Sequence, residues 1–177
     1  MNDKKDLPVR KPNRLTKFDY SKNGAYFITI CTKDRKCILS SIVGDGVLDV
    51  PKMHLSKYGK IVKNRIDEMN NIYDNIFVEK YIIMPNHIHL IVRINNITEI
   101  QNGTSRTPSP TNSTIPLFVS TFKRLTNKQI GNKIWQRSYY DHIIRDEEDY
   151  INICEYINNN ALKWQDDKYF NGGNDNG

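Results

Sequence analysis

Two apolar, β-branched runs, Ile76 to Met84 and His87 to Ile94, are separated only by Pro85-Asn86, and this restricts the fold more than anything else in the chain. Proline followed by asparagine favours a turn, so the runs are expected to pair as an antiparallel hairpin. Around them the periodicity alternates. Ala25 to Thr32 (AYFITICT) is aromatic and β-branched and reads as a strand. Ser41 to Val50, with GDG in its middle, reads as an added hairpin. Ser56 to Tyr73 reads as a helix, because Ile61, Val62, Ile66 and Met69 recur at helical spacing with charges between them. Thr114 can cap a second helix with the apolar face Ile115, Phe118, Val119, Phe122 and Leu125. Trp135 to Ile144 reads as extended, and Asp146 to Trp164 as a last helix. With the added hairpin set aside, the order is βαββαβ, the ferredoxin-like split pattern of an α+β fold with an antiparallel sheet, followed by a C-terminal helix.

A chain of 177 residues is expected to form one domain around one core. Its three cysteines form no paired framework and no C-x-x-C site, which fits a reducing cytoplasm. The polar start MNDKKDLPVRK has no signal-peptide character, and no run is long enough to span a bilayer, so a soluble intracellular protein is expected.

Lysine plus arginine outnumber aspartate plus glutamate by 26 to 20, a net charge of +6 that suits a polyanionic partner. The excess is concentrated. Lys4, Lys5, Arg10, Lys11, Arg14, Lys17 and Lys22 face only Asp6 and Asp19, so residues 1–23 read as a basic arm, although a solvated tail explains the arm equally well. Lys123, Arg124, Asn127 and Lys128 make the outer face of the second helix basic, and Arg137 follows. Residues 24–164 are expected to form the domain, with 95–113 (NNITEIQNGTSRTPSPTNS) as a mobile loop and 165–177 as a polar tail.

Strand side chains alternate with period two, so His87 and His89 share a face, while Ile88 and Leu90 point the other way. Two neutral imidazoles on one face suit a shared metal ion, which would need a third ligand from elsewhere. A pair of hydrogen-bonded sheet histidines is the simpler alternative. On the last helix the apolar stripe is Tyr150, Ile153, Cys154, Ile157 and Ala161, with Tyr156 about 120° away from its centre. Asn160 lies one turn beyond Tyr156 on the same flank, with Lys163, so the pair can meet one object. An isolated tyrosine there would read as an aromatic at the core margin.

Taken together, GAYFITICTKDRK, MPNHIHLIV, STFKRLTNK and WQRSYYDHIIRDEEDYINICEYINNNALKW resemble the HUH single-tyrosine transposases. More closely, they are similar to the REP-associated tyrosine transposases, bacterial relatives of insertion-sequence transposases. The resemblance covers about Arg14 to Trp164 and departs from the family pattern at Ala161, where NNNA stands in place of NNP. It implies Tyr156 as the nucleophile, with His87, His89 and Asn160 holding Mg²⁺ or Mn²⁺. The substrate it implies is single-stranded DNA with hairpin structure (REP-like palindromes), nicked and rejoined through a covalent five-prime phosphotyrosine. Arg10, Lys11, Arg14, Lys123, Arg124, Lys128 and Arg137 would contact the DNA. The setting implied is the bacterial cytoplasm at the nucleoid, and a monomer is favoured over a homodimer. Tyr139 and Tyr140 are rival nucleophiles. A non-catalytic ferredoxin-like nucleic-acid-binding module and a metal-binding regulatory protein are the competing readings; the second calls for a full His and Cys ligand set that the sequence lacks.

Overall fold

A computed structural model describes residues 18–44, 52–96 and 114–170. Most of the basic arm with Arg10, Lys11 and Arg14, the GDG turn beyond Gly44, most of the polar loop and the end of the tail lie outside the described residues.

Four strands form the main sheet: β1 (Gly24–Cys31), β4 (Ile76–Ile83), β5 (His87–Ile94) and β6 (Tyr140–Ile144). Their order is β4-β5-β1-β6, and every neighbouring pair is antiparallel. Since β5 runs against both β1 and β4, the latter two are parallel with β5 inserted between them. This is the split βαβ arrangement expected of the ferredoxin-like pattern.

Helices α1 (Lys57–Met69) and α2 (Thr114–Ile130) cover one face. There Val62, Ile66, Ile115, Phe118, Val119 and Phe122 join Tyr26, Ile28, Ile30, Ile88, Leu90 and Val92 in the larger core. Full burial of each such side chain contributes about 1.5–3 kcal/mol. Helix α3 (Glu147–Asn159) packs on the opposite face, where Ile157, Ile153 and Cys154 meet Ala25, Phe27 and Ile91. A bulge in β4 between Val78 and Lys80 leaves Glu79 unpaired in the ladder. Glu79 then binds Arg93 and accepts from the Tyr150 hydroxyl at 3.2 Å, tying the first turn of α3 to the sheet.

Local chemistry sets the helix limits. Ser56 caps α1 by accepting from the amides of Tyr58 and Gly59 at 3.1 Å each, and Asp146 caps α3 by accepting from Asp149 at 2.8 Å. The expected helix 146–164 stops at Asn159, because asparagines 158–160 are weak helix formers. A 3₁₀ turn at Trp164–Asp166 follows. The expected strand 135–144 is also shorter. Only Tyr140–Ile144 joins the ladder, and Trp135 makes an isolated bridge to Thr32. Between them Lys123 Nζ donates to the carbonyls of Gln136 and Ser138, both at 2.9 Å, so a side chain takes up these acceptors. The added hairpin pairs β2 (Ser40–Val43) with β3 (Lys52–Leu55), so its second arm lies beyond Val50. Ile42, Met53 and Leu55 form its half-buried face. Among the described residues no helix is long and apolar enough to cross a membrane.

Gly59 sits where α1 passes the chain before β2, and a Cβ there would run into the backbone carbonyl of Leu39. That carbonyl already accepts from Ser56 N–H at 2.9 Å and has little room to yield. Gly59→Ala is therefore expected to destabilise the fold by about 1–3 kcal/mol despite alanine's better helix propensity. Thermal or urea unfolding checks this, and an unchanged or raised midpoint would contradict it.

Candidate active site

Strand β5 presents His87 and His89 to the α3 face, where the β1 register sets Cys31 opposite His87 and Thr29 opposite His89. Both imidazoles are fully buried, and their Nε2 atoms lie 3.0 Å apart. Two ligand atoms on adjacent corners of an ion with bonds of about 2.1 Å are about 3.0 Å apart, so the pair has the spacing of a shared cation.

The other ring nitrogens are fixed by neighbours. Asn86 donates through Nδ2 to the Tyr169 carbonyl at 2.7 Å, which leaves Oδ1 to accept from His87 Nδ1 at 2.9 Å. His87 therefore carries its proton on Nδ1 and turns a lone pair at Nε2 toward His89. Nδ1 of His89 lies 2.8 Å from the Thr29 hydroxyl, which can accept or donate and so permits either tautomer. Burial pushes His87 down to about 4, against a rise from Asp167 and further lowering from Lys168 and Arg35. His89 is lowered well below the usual range, first by burial and then by His87. Both rings are thus neutral at neutral pH, the form that binds metal.

Helix α3 brings the tyrosine. Ile157 is buried in the sheet contact, which leaves Tyr156 on the flank, 39% exposed, with its ring edge-on to Phe27. Its hydroxyl is 3.3 Å from His89 Nε2 and 3.3 Å from Asp167 Oδ2. Burial first, and Asp167 second, push the phenol up to about 12. One turn on, at the helix cap, Asn160 is only 3% exposed and donates through Nδ2 to Asp167 Oδ2 at 3.2 Å. Its Oδ1 is buried without a partner. A buried amide oxygen without a partner, on the residue whose Nδ2 binds Asp167 Oδ2, and two neutral imidazoles are donors of the kind that a divalent cation takes, so the residues fit the ion.

Of the expected site residues, His87, His89, Tyr156 and Asn160 converge. Arg124, Lys128 and Arg137 are exposed, whereas Lys123 is engaged with backbone carbonyls. Tyr139 packs against the larger core, and Tyr140 faces the groove on the α3 side. That groove, about 630 Å³, is lined by Phe27, Tyr140, His142, Tyr156, Asn160 and Lys168 among others. Asp167 was not foreseen. It groups with His87 and His89, the ligand atoms of the three lying within 4.8 Å of one another. Thr29 and Asn86 were also missed as ring-orienting partners. A polar residue inside the apolar run AYFITIC could have flagged Thr29, but nothing in the composition of the tail singles out Asp167.

The molecule is a ferredoxin-like α+β protein whose sheet carries paired imidazoles facing a helical tyrosine. The chain belongs to the IS200-like transposase family, whose model matches residues 20–160. A Haemophilus influenzae protein of unassigned function is 33% identical over 174 residues, covering 91% of this chain and 93% of its own. A second protein of that organism, provisionally named a REP-associated tyrosine transposase, is 27% identical over 153 residues, covering 82% of this chain and 74% of its own. A solved REP-associated tyrosine transposase bound to a REP hairpin shares the fold with a TM-score of 0.61 and 18% identity, over 88% of this chain and 74% of that one.

Asn86 is buried and joins His87 to the segment after α3. Asn86→Ala removes both bonds and leaves the Tyr169 carbonyl and His87 Nδ1 without these partners, a cost of about 2–4 kcal/mol. Hydrogen exchange should show faster exchange around residues 164–170; protection equal to the parent would contradict this.

Proposed function

We propose that this transposase nicks and rejoins single-stranded DNA beside hairpins through a covalent five-prime phosphotyrosine on Tyr156. The observation that carries the reading is the Tyr156 hydroxyl 3.3 Å from Nε2 of His89, which is itself 3.0 Å from Nε2 of His87. The hairpin bound by the solved structure of the same fold, and the name of the 27% identical relative, support the choice of substrate.

His87 and His89 would hold Mg²⁺ or Mn²⁺ through Nε2, with Asn160 Oδ1 as a further ligand. When bound, the ion supplies Lewis-acid polarisation of the scissile phosphate. Tyr156 attacks phosphorus in line: its oxygen forms the new O–P bond while the bond to the three-prime oxygen breaks. The proton lost by the phenol is balanced by the one that the departing oxygen takes up as a hydroxyl. Phosphotyrosine keeps the energy of the cleaved bond, so a later hydroxyl can displace Tyr156 and rejoin the strand. Packing of Ile153 and Ile157 against the sheet holds the phenol in place, and small misplacements cost rate heavily. The basic arm with Arg10, Lys11 and Arg14, and the exposed Arg124, Lys128 and Arg137, would follow the DNA backbone, with Lys123 bracing the segment that carries Arg137. The protein would act as a monomer in the bacterial cytoplasm at the nucleoid, with residues 24–164 as the catalytic domain.

Tyr156→Phe keeps the ring and its packing and should abolish the covalent adduct with a labelled oligonucleotide in Mn²⁺, while folding and hairpin binding persist. Tyr139→Phe and Tyr140→Phe should still form the adduct. Mass spectrometry that places the nucleotide on either of those tyrosines would overturn the assignment.

Hairpin affinity should fall steeply as salt rises, because cations released from the phosphates drive binding. Replacing Arg124, Lys128 and Arg137 with glutamine should flatten the slope of log affinity against log salt by about one for each phosphate that these side chains no longer neutralise. An unchanged slope would show that these charges face only solvent.

A further inference from the structure

We propose that Asp167 is an anionic ligand of the divalent cation that His87 and His89 are suited to hold, with Asn160 fixing its carboxylate through Nδ2. The inference rests on the metal reading above and extends it to the segment that follows α3.

Position is the first argument. The ligand atoms of Asp167, His87 and His89 lie within 4.8 Å of one another, and opposite ligands of one ion are separated by about 4.2 Å. The carboxylate is also held at both oxygens. Oδ1 accepts from Tyr169 N–H at 2.7 Å, and Oδ2 accepts from Asn160 Nδ2 at 3.2 Å and from the Tyr156 hydroxyl at 3.3 Å. The Tyr169 carbonyl in turn accepts from Asn86, the residue that orients His87. One chain of hydrogen bonds therefore positions both an imidazole ligand and the carboxylate. The buried Tyr169 ring, 4.6 Å from that of His87, clamps the segment further.

Charge is the second argument. Two imidazoles and an amide are neutral, and a dication among buried neutral groups lacks a counter-charge. Lys168 and Arg35 add positive potential at His87. Among the described residues Asp167 is the carboxylate that falls in this cluster. A hard cation such as Mg²⁺ or Mn²⁺ also prefers oxygen to nitrogen.

The test measures Mn²⁺ affinity of the whole chain without DNA, by loss of the free-ion EPR signal and by calorimetry. Asp167→Asn keeps the size of the side chain and an oxygen that can accept from Tyr169 N–H. It is expected to weaken Mn²⁺ binding roughly tenfold or more, whereas Asp167→Glu, which restores the charge, recovers part of that loss. Asp166→Asn serves as the control for general electrostatics and should bind as the parent does. Parental affinity in Asp167→Asn alongside loss in His89→Ala overturns the inference and leaves the metal reading standing. So does an equal loss in Asp166→Asn, or an Asp167→Glu that binds no better than Asp167→Asn. Adduct formation lost in Asp167→Asn at unchanged Mn²⁺ affinity also overturns it, since Asp167 would then act on Tyr156 and not on the ion. If the parent chain itself binds no Mn²⁺, the metal reading fails, and this inference fails with it.

Discussion

The ladder between β1 and β5 is the interaction on which the site depends. It is the central pairing of the sheet, and its register sets Thr29 against His89. A slip of one residue would turn His87 and His89 into the α1–α2 core and Ile88 and Leu90 toward α3, so register and site stand or fall together. The apolar face of β5 enforces the register. Ile88, Leu90, Val92 and Ile94 are all buried in the larger core, and a one-residue slip would expose all four to the α3 face.

That burial also determines the electrical state of the histidines. In water they would be partly protonated near pH 6.5; here desolvation holds both below that range. Both rings thus keep a free lone pair at neutral pH, the state in which an imidazole can bind a metal ion. Lys168, which depresses both imidazoles, lies 4.9 Å from the centre of the Tyr169 ring and 5.2 Å from that of Tyr140. Positive charge at the rim of a groove beside the tyrosine suits an approaching phosphate.

Helix α3 is anchored at both ends by different means. Its first turn is tied to the β4 bulge through Tyr150 and Glu79, and Ile157 is buried against Phe27 and Ile91 in its last. Between these anchors the helix presents Tyr156 at a defined height over Phe27 and His89. The chain beyond the helix then turns back over the histidines instead of leaving the domain, which is how the His87 ring comes to lie 6.0 Å from that of Trp164 and 4.6 Å from that of Tyr169.

Local periodicity was enough to read the element order, the shared face of His87 and His89, and the common flank of Tyr156 and Asn160. Each rests on the two-residue repeat of a strand or the 3.6-residue repeat of a helix, which the sequence alone determines. The boundaries of β6, α3 and the added hairpin were less legible, because long-range partners compete with local preference there, as Lys123 does for the carbonyls before β6. The surroundings of the imidazoles were decided by tertiary structure. Thr29 and His89 are 60 residues apart, and Asn86 and Tyr169 are 83 apart. No repeat links positions so distant; only closure of the sheet and the return of the chain after α3 bring Thr29, Asn86 and Asp167 to the two histidines.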